Sequence, residues 1–162
     1  MKKKYKFLII ILVVLCISLF FFFNQKRNFD LNGALITENI RFNIKIKDTN
    51  LKVDVADTPL LREKGLSGRE KLEENEGMLF IFDYSSKHGF WMKDMNFAID
   101  MVWLDEEQKI VHLEKNVSPE SYPTVFSPKK DSMYVLEVIS GFSDKNNLKT
   151  GDLVQFFFSN TP

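Results

Sequence analysis

From Arg41 onward, apolar residues recur at every second position. Phe42, Ile44 and Ile46 alternate with Asn43, Lys45 and Lys47. After the turn formers Asp48-Thr49-Asn50 the pattern resumes at Leu51, Val53 and Val55, with Lys52 and Asp54 opposite. Successive strand side chains point to opposite faces, so this is the pattern of a hairpin with one buried face. Thr58-Pro59 then opens a helix, with Thr as N-cap and Pro at the first helical position, and Gly65 closes it within two turns. Ser67 to Leu72 adds a helical turn, and Glu73-Glu74-Asn75-Glu76 forms a solvated acidic loop. Further strands are predicted over 78–82, 89–92, 98–104 and 109–115, with Asp105-Glu106-Glu107-Gln108 as the hairpin turn between the last two. Residues 117–130 hold three of the chain's five prolines and read as a long loop. A strand over 132–140, a short helix over 142–147 and a closing strand from Gly151 complete the pattern. Seven or eight short strands with two small helices predict a mainly β (α+β) domain, a compact β-barrel or curled sheet. A parallel α/β fold needs longer helices between its strands.

The N-terminus has a different pattern. Lys2, Lys3, Lys4 and Lys6 precede an apolar run from Phe7 to Phe23 that only Cys16 and Ser18 interrupt, and Lys26 and Arg27 close it. Such a run, as a helix, extends about 26 Å, within the range of membrane-spanning segments. Its exit, Phe20 to Arg27, lacks the small residues that signal cleavage requires, and Cys16 lies mid-run rather than at a lipoprotein-type junction. The expectation is a retained single-pass anchor over 1–27, a linker over 28–40 and a β domain over 41–159. The heavier basic cluster precedes the span, which places the N-terminus in the cytoplasm and the domain outside.

Charge then narrows the partners. Residues 1–27 carry six of the 22 basic residues and no acidic one, leaving 16 basic against 22 acidic residues and a net of −6 in the remainder. A domain of that charge lacks the basic footprint of a nucleic-acid binder. Cys16 is the only cysteine and falls in the predicted span, so the domain has no disulfide, thiol nucleophile or thiolate metal site.

Candidate chemistry concentrates between Gly77 and Asp105, where aromatic and sulfur side chains crowd around Lys93 and Asp100. Asp100 shares a strand face with Val102 and Leu104, and Glu137 shares one with Met133, Val135 and Ile139. Carboxylates on apolar faces bind a ligand, move protons, or are satisfied by backbone amides and by cations such as Arg69 or Lys93. Trp91, Phe90 and Trp103 offer an aromatic wall for a flat ligand or pack as core. His88, Met92 and Met95 are ligand types that suit copper, but strand parity puts Met95 opposite the other two, so neither a metal nor another cofactor is expected. Gly-Leu-Ser-Gly-Arg at 65–69 fails as a nucleophile elbow, because its second glycine comes one position early and no strand precedes it.

Several segments in order resemble the DUF192 (UPF0127) family. They are Thr58-Pro59 through Arg62 to Gly65-Leu66-Ser67-Gly68-Arg69, then Gly77-Met78-Leu79-Phe80, then Phe90-Trp91-Met92-Lys93 to Asp100. Tyr134-Val135-Leu136-Glu137 with Gly141, and Leu148 to Asp152, resemble its closing motif. The resemblance spans roughly residues 50–157 and implies a small, mainly β domain, often exported or membrane-anchored, with no established activity. Arg69, Trp91, Lys93, Asp100 and Glu137 fall on positions of the family motif. Asp94 stands where the family usually has Asn, and Ala98 where it usually has Pro.

Three functional readings fit these features. The first is a membrane-anchored extracytoplasmic binding module in which Arg69, Trp91, Lys93, Asp100 and Glu137 hold a small polar ligand or a segment of an envelope protein. The second is a hydrolase or lyase acting on a cell-envelope carbohydrate, with Asp100 and Glu137 as acid and base. The third is an assembly protein that meets its partner through the 117–130 loop and has no pocket.

Overall fold

The computed structural model describes residues 41–157. Seven strands, β1 (Arg41–Ile46), β2 (Thr49–Ala56), β3 (Glu76–Ser86), β4 (Ile99–Leu104), β5 (Ile110–Val117), β6 (Ser132–Ile139) and β7 (Val154–Phe157), form one sheet in the order β5-β4-β6-β3-β2-β1-β7. Two helices, α1 (Pro59–Lys64) and α2 (Phe142–Lys145), lie in the connections. Neighbouring strands run antiparallel except β2 and β3, which are parallel and joined by the crossover that contains α1. The sheet curls into a half-barrel whose edges meet at one end. There the Ile110 N–H donates to the Asp152 carbonyl at 2.9 Å and the Val154 N–H to the Gln108 carbonyl at 3.0 Å. The predicted anchor at 1–27 and linker at 28–40 lie outside the described residues. No helix among the described residues is long and apolar enough to cross a membrane.

Both faces of the sheet are covered. On one, Ile44, Ile46, Val53, Leu79, Val102, Leu136 and Val138 pack with Phe142 and Leu148 from the α2 segment. On the other, Met78, Phe80, Met101, Trp103 and Val135 pack under Leu66, Leu72 and Met92 from the connecting segments. β4 feeds both cores, and all six of its residues are buried, which is why its sequence is apolar at both parities. β2 behaves likewise from Val53 onward. Asp54, expected on a wet face, is therefore buried.

The Thr58 Oγ1 accepts from the Leu61 N–H at 3.3 Å and Pro59 opens α1, while Gly65 ends it at φ 49°, ψ −134°, backbone angles that favour glycine. Residues 67–72 are a turn at Ser67-Gly68 followed by irregular backbone, without helix, and β3 runs on to Ser86 with an irregular register after Ile81. The strand expected at 89–92 is a loop. Both edges of β4 are taken by β5 and β6, leaving this segment a single antiparallel bridge between Phe90 and Phe126.

Glycine at position 77 sets the spacing of β3 and β6. A Cβ there would lie 2.8 Å from the Glu137 carbonyl oxygen and 3.3 Å from the Val53 side chain. Because the nearer atom is backbone, Gly77→Ala should cost about 2 kcal/mol through forced separation of the two strands, read as a fall in the urea midpoint.

Candidate functional site

The strand register sets one row of side chains across the second face. Asp54 stands opposite Met78, Met78 opposite Glu137, and Glu137 opposite Met101. Neighbouring strands lie about 4.8 Å apart, so the backbones at Asp54 and Glu137 are separated by roughly 10 Å. Asp54 is doubly paired: the Arg41 Nε donates to its Oδ1 at 2.8 Å and the Arg69 Nη2 to its Oδ2 at 2.6 Å. Glu137 has no such partner. It is 4% exposed, and its buried Oε2 accepts no hydrogen bond. Burial raises its pKa from the ordinary 4.5 to about 8, with the Arg69 guanidinium pulling the other way. At neutral pH this carboxyl is mostly protonated.

Two connecting segments roof this row, and three hydrogen bonds join them. The Ser67 Oγ donates to the Lys93 carbonyl at 2.8 Å, the Gly68 N–H to the Asp94 carbonyl at 2.9 Å, and the Asn96 Nδ2 to the Arg69 carbonyl at 2.8 Å. Asp94 sits at φ 56°, the turn that lets the 90–96 loop double back. Under the roof lies a cavity of about 220 Å³ lined by Phe80, Phe82, Phe90, Trp91, Met95 and Glu137, and also by Arg62, Glu63 and Lys64 of α1. A second cavity of about 400 Å³ adjoins it, sharing Lys64, Gly65 and Ser67 and lined also by Asp54, Arg69 and Met78. Trp91 is 50% exposed and meets the exposed Tyr122 edge to face, ring centres 6.2 Å apart. Arg62 is held rigidly, donating to the carbonyls of Asp57 and Ile81 at 2.8 and 2.7 Å, with its guanidinium 5.2 Å from the centre of the Phe82 ring.

Of the five residues expected to form a site, Arg69, Trp91 and Glu137 line these adjoining cavities. Asp100 is elsewhere. In the β4–β6 register it stands opposite Val138, so it projects into the first core while Glu137 projects into the second. It is fully buried and satisfied by backbone: Oδ1 accepts from the Asn116 N–H at 2.8 Å and the Gly141 N–H at 3.2 Å, and Oδ2 from the Ser143 N–H at 2.8 Å. Asp100 and Glu137 thus lie on opposite faces, and the expected acid–base pair is not assembled. The Lys93 side chain is exposed, and it is the Lys93 carbonyl that joins the roof.

Trp103 is core, its Nε1 donating to the His88 carbonyl at 2.9 Å. The His88 ring stacks on Phe82 with centres 3.5 Å apart, and burial lowers its pKa. Met92 is buried in the second core while Met95 lines the cavity. Among the described residues, no three His, Cys, Asp or Glu side chains gather as metal ligands. Sequence reasoning missed Asp54. The signal was the run Val53-Asp54-Val55-Ala56, apolar at both parities around one acid.

Two solved structures share this architecture. One, from Sinorhizobium meliloti 1021 and described as a candidate transcription regulator, is 26% identical and superposes with a TM-score of 0.66 over 72% of this chain and 92% of that one. The other, a Novosphingobium aromaticivorans DSM 12444 protein of unknown function, is 22% identical with a TM-score of 0.65 over 72% and 84%. At that identity the second likeness concerns fold alone. No curated protein matches the sequence. The profile of DUF192, described as uncharacterized ACR, matches residues 42–156 and so contains every residue of the row, the roof and both cavities. The chain belongs to the DUF192 family, whose function is unknown.

Proposed function

We propose that this domain is a binding module for a small ligand, held at the outer face of a membrane by the basic and apolar segment at 1–27. The observation that carries the ligand reading is Glu137: a carboxyl 4% exposed, with a buried oxygen that has no partner, on a residue that lines an aromatic cavity. An unsatisfied buried polar group costs about 1–3 kcal/mol, and a ligand that bonds to it recovers part of that cost. The half-exposed Trp91 supports the same reading, since a large aromatic left in water beside a cavity offers a contact surface. A carboxylate-dependent hydrolase has less support. Asp100 lies across the sheet, and Asp54 is committed to two arginines. A pocketless assembly protein fits poorly with two adjoining cavities.

The test is a thermal-shift screen with amines, carboxylic acids, amino acids and sugars, followed by titration of the hits. Trp91→Ala should leave the melting temperature within about 2 °C, as expected for a side chain outside the core, yet weaken a bound ligand about tenfold. Equal affinity in both proteins places the ligand elsewhere. Externally added protease should reach the domain in intact cells, and protection there would overturn the outward orientation.

A further inference from the structure

The cavity over Glu137 is small. Its roughly 220 Å³ falls below the ≈300–1,000 Å³ of sites that enclose a drug-sized ligand, so it suits one group about the size of a side chain. The surroundings then select the charge of that group. The strands flanking Glu137 contribute Met78 and Met101, and the 89–96 loop contributes Phe90, Trp91 and Met95. The nearby charges are Arg62, Glu63 and Lys64 from α1, Arg69 from the turn after it, and Asp54 from β2.

The arginines are already engaged. Arg62 is bonded to two carbonyls and lies 3.4 Å from the Asp83 carboxylate, while Arg69 shares Asp54 with Arg41. Glu63 and Lys64 are exposed neighbours of opposite charge on α1, with no ion pair between them. Among the cations lining the two cavities, an anionic group would find only the exposed Lys64 unpaired, and it would enter against ring faces whose quadrupole repels it. A cation meets the opposite conditions: aromatic faces and a thioether, which accommodate cations, and a carboxyl with a free oxygen. The Arg62 guanidinium over Phe82 shows that these rings already take a cation.

We infer that the group seated over Glu137 is an organic ammonium ion, with the Glu137 carboxylate as its counter-charge and Phe90, Trp91 and Met95 as its walls. This rests on the cavity being the ligand site. Glu137 gives up its proton as the cation enters, so one positive charge replaces another and the net charge of the cavity is unchanged. Binding therefore releases a proton to solvent and tightens with pH until Glu137 ionises on its own. The ammonium belongs either to a free amine or to a lysine side chain of a peptide, and the two differ at the far end of the methylene stem.

The full chain would be titrated calorimetrically with n-butylammonium and with N-acetyl-lysine methylamide, against n-butanol and butyrate as neutral and anionic counterparts, at pH 6, 7 and 9. Both ammonium compounds should bind, about tenfold tighter at pH 7 than at pH 6 and levelling above about pH 8, with release of one proton near neutrality. Glu137→Gln should abolish the pH dependence and weaken binding at pH 9 by tenfold or more, with near-ultraviolet circular dichroism confirming the fold. Trp91→Ala, which removes an exposed ring, should weaken ammonium binding about fivefold or more. Tighter binding of the lysine derivative identifies a peptide side chain, and tighter binding of butylammonium a free amine; each supports the inference. It is overturned if butanol or butyrate binds as well as butylammonium, if affinity is flat in pH, or if Glu137→Gln binds unchanged. Butyrate or butanol binding that is lost in Trp91→Ala would overturn the ammonium assignment while leaving the cavity a ligand site. If none of the four probes binds, the ammonium inference falls, and the broader screen with Trp91→Ala decides the cavity separately.

Discussion

Glu137→Gln should make the domain more stable than the native chain at pH 9 by about 5 kcal/mol, and no more than slightly different at pH 4. The carboxyl goes from an ordinary pKa of 4.5 in the unfolded chain to about 8 when folded, because burial disfavours its charged form. Each pKa unit corresponds to about 1.4 kcal/mol, which gives the stated size to order of magnitude. The sign depends on which state holds the proton. Between pH 4.5 and 8 the folded protein binds it and the unfolded chain does not, so stability declines as pH rises. The contribution of the protonated group is complete below pH 4.5 and gone above pH 8. Glutamine has nearly the same shape and no charge to bury, so its profile should be flat across this window. Urea denaturation of both proteins at pH 4, 6 and 9 measures the difference. Parallel profiles would show that Glu137 is ionised and solvated in the folded protein, and the proton exchange invoked for ammonium binding would go with it.

Much of the scaffold is set by local pattern. Alternation at Phe42-Ile44-Ile46 and Leu51-Val53-Val55 specifies the β1–β2 hairpin. Thr58, Pro59 and Gly65 bracket α1 with a cap, a preset φ and a residue tolerant of positive φ. The Asp105–Gln108 turn forms because Asp105 Oδ1 accepts the Lys109 N–H and Gln108 takes φ 63°. The site is less legible because it depends on register between strands distant in sequence. Parity within β4 and β6 identifies Asp100 and Glu137 as acids on apolar faces, but it does not say whether those faces coincide. A one-residue difference decides that: Asp100 stands opposite Val138, so its neighbour Met101 meets Glu137 on the other side. Asp54 was misplaced for a related reason, since β2 alternates as if half exposed until β3 and the roof of Arg69 cover its second face. The 89–92 segment has strand-like composition, yet a strand needs a free edge, and none is open beside β4.

Asp100→Ala should cost about 4 kcal/mol while leaving ligand binding intact, which separates scaffold from site. The two Asp100 oxygens serve three amides drawn from different parts of the chain. Asn116 lies in the irregular stretch of β5, where Ile99 pairs with Val117 but Met101 pairs with Glu114, so Lys115 and Asn116 together face Asp100. Asn116 takes φ 54° there and turns its N–H toward the carboxylate. Gly141, at φ 87°, and Ser143 belong to the N-terminal end of α2, which carries Phe142 into the first core. A charged acceptor in this position fixes a bulge and a helix start at once, and removing it leaves buried donors that each cost about 1–3 kcal/mol. Against a typical total stability of about 5–15 kcal/mol, such a loss approaches unfolding. Asp100→Asn is the milder probe, because its amide oxygen still serves the Oδ1 pair and only the bond to Ser143 is lost; a cost of about 2 kcal/mol is expected. Hydrogen exchange at Asn116, Gly141 and Ser143 should accelerate in both variants. Affinity for n-butylammonium in folded Asp100→Asn should stay within about twofold of the native value, because the carboxylate lies across the sheet from the cavity and sites without shared partners behave additively. A tenfold loss of affinity in that variant, with the fold retained, would return Asp100 to the binding site and contradict the division of the two faces.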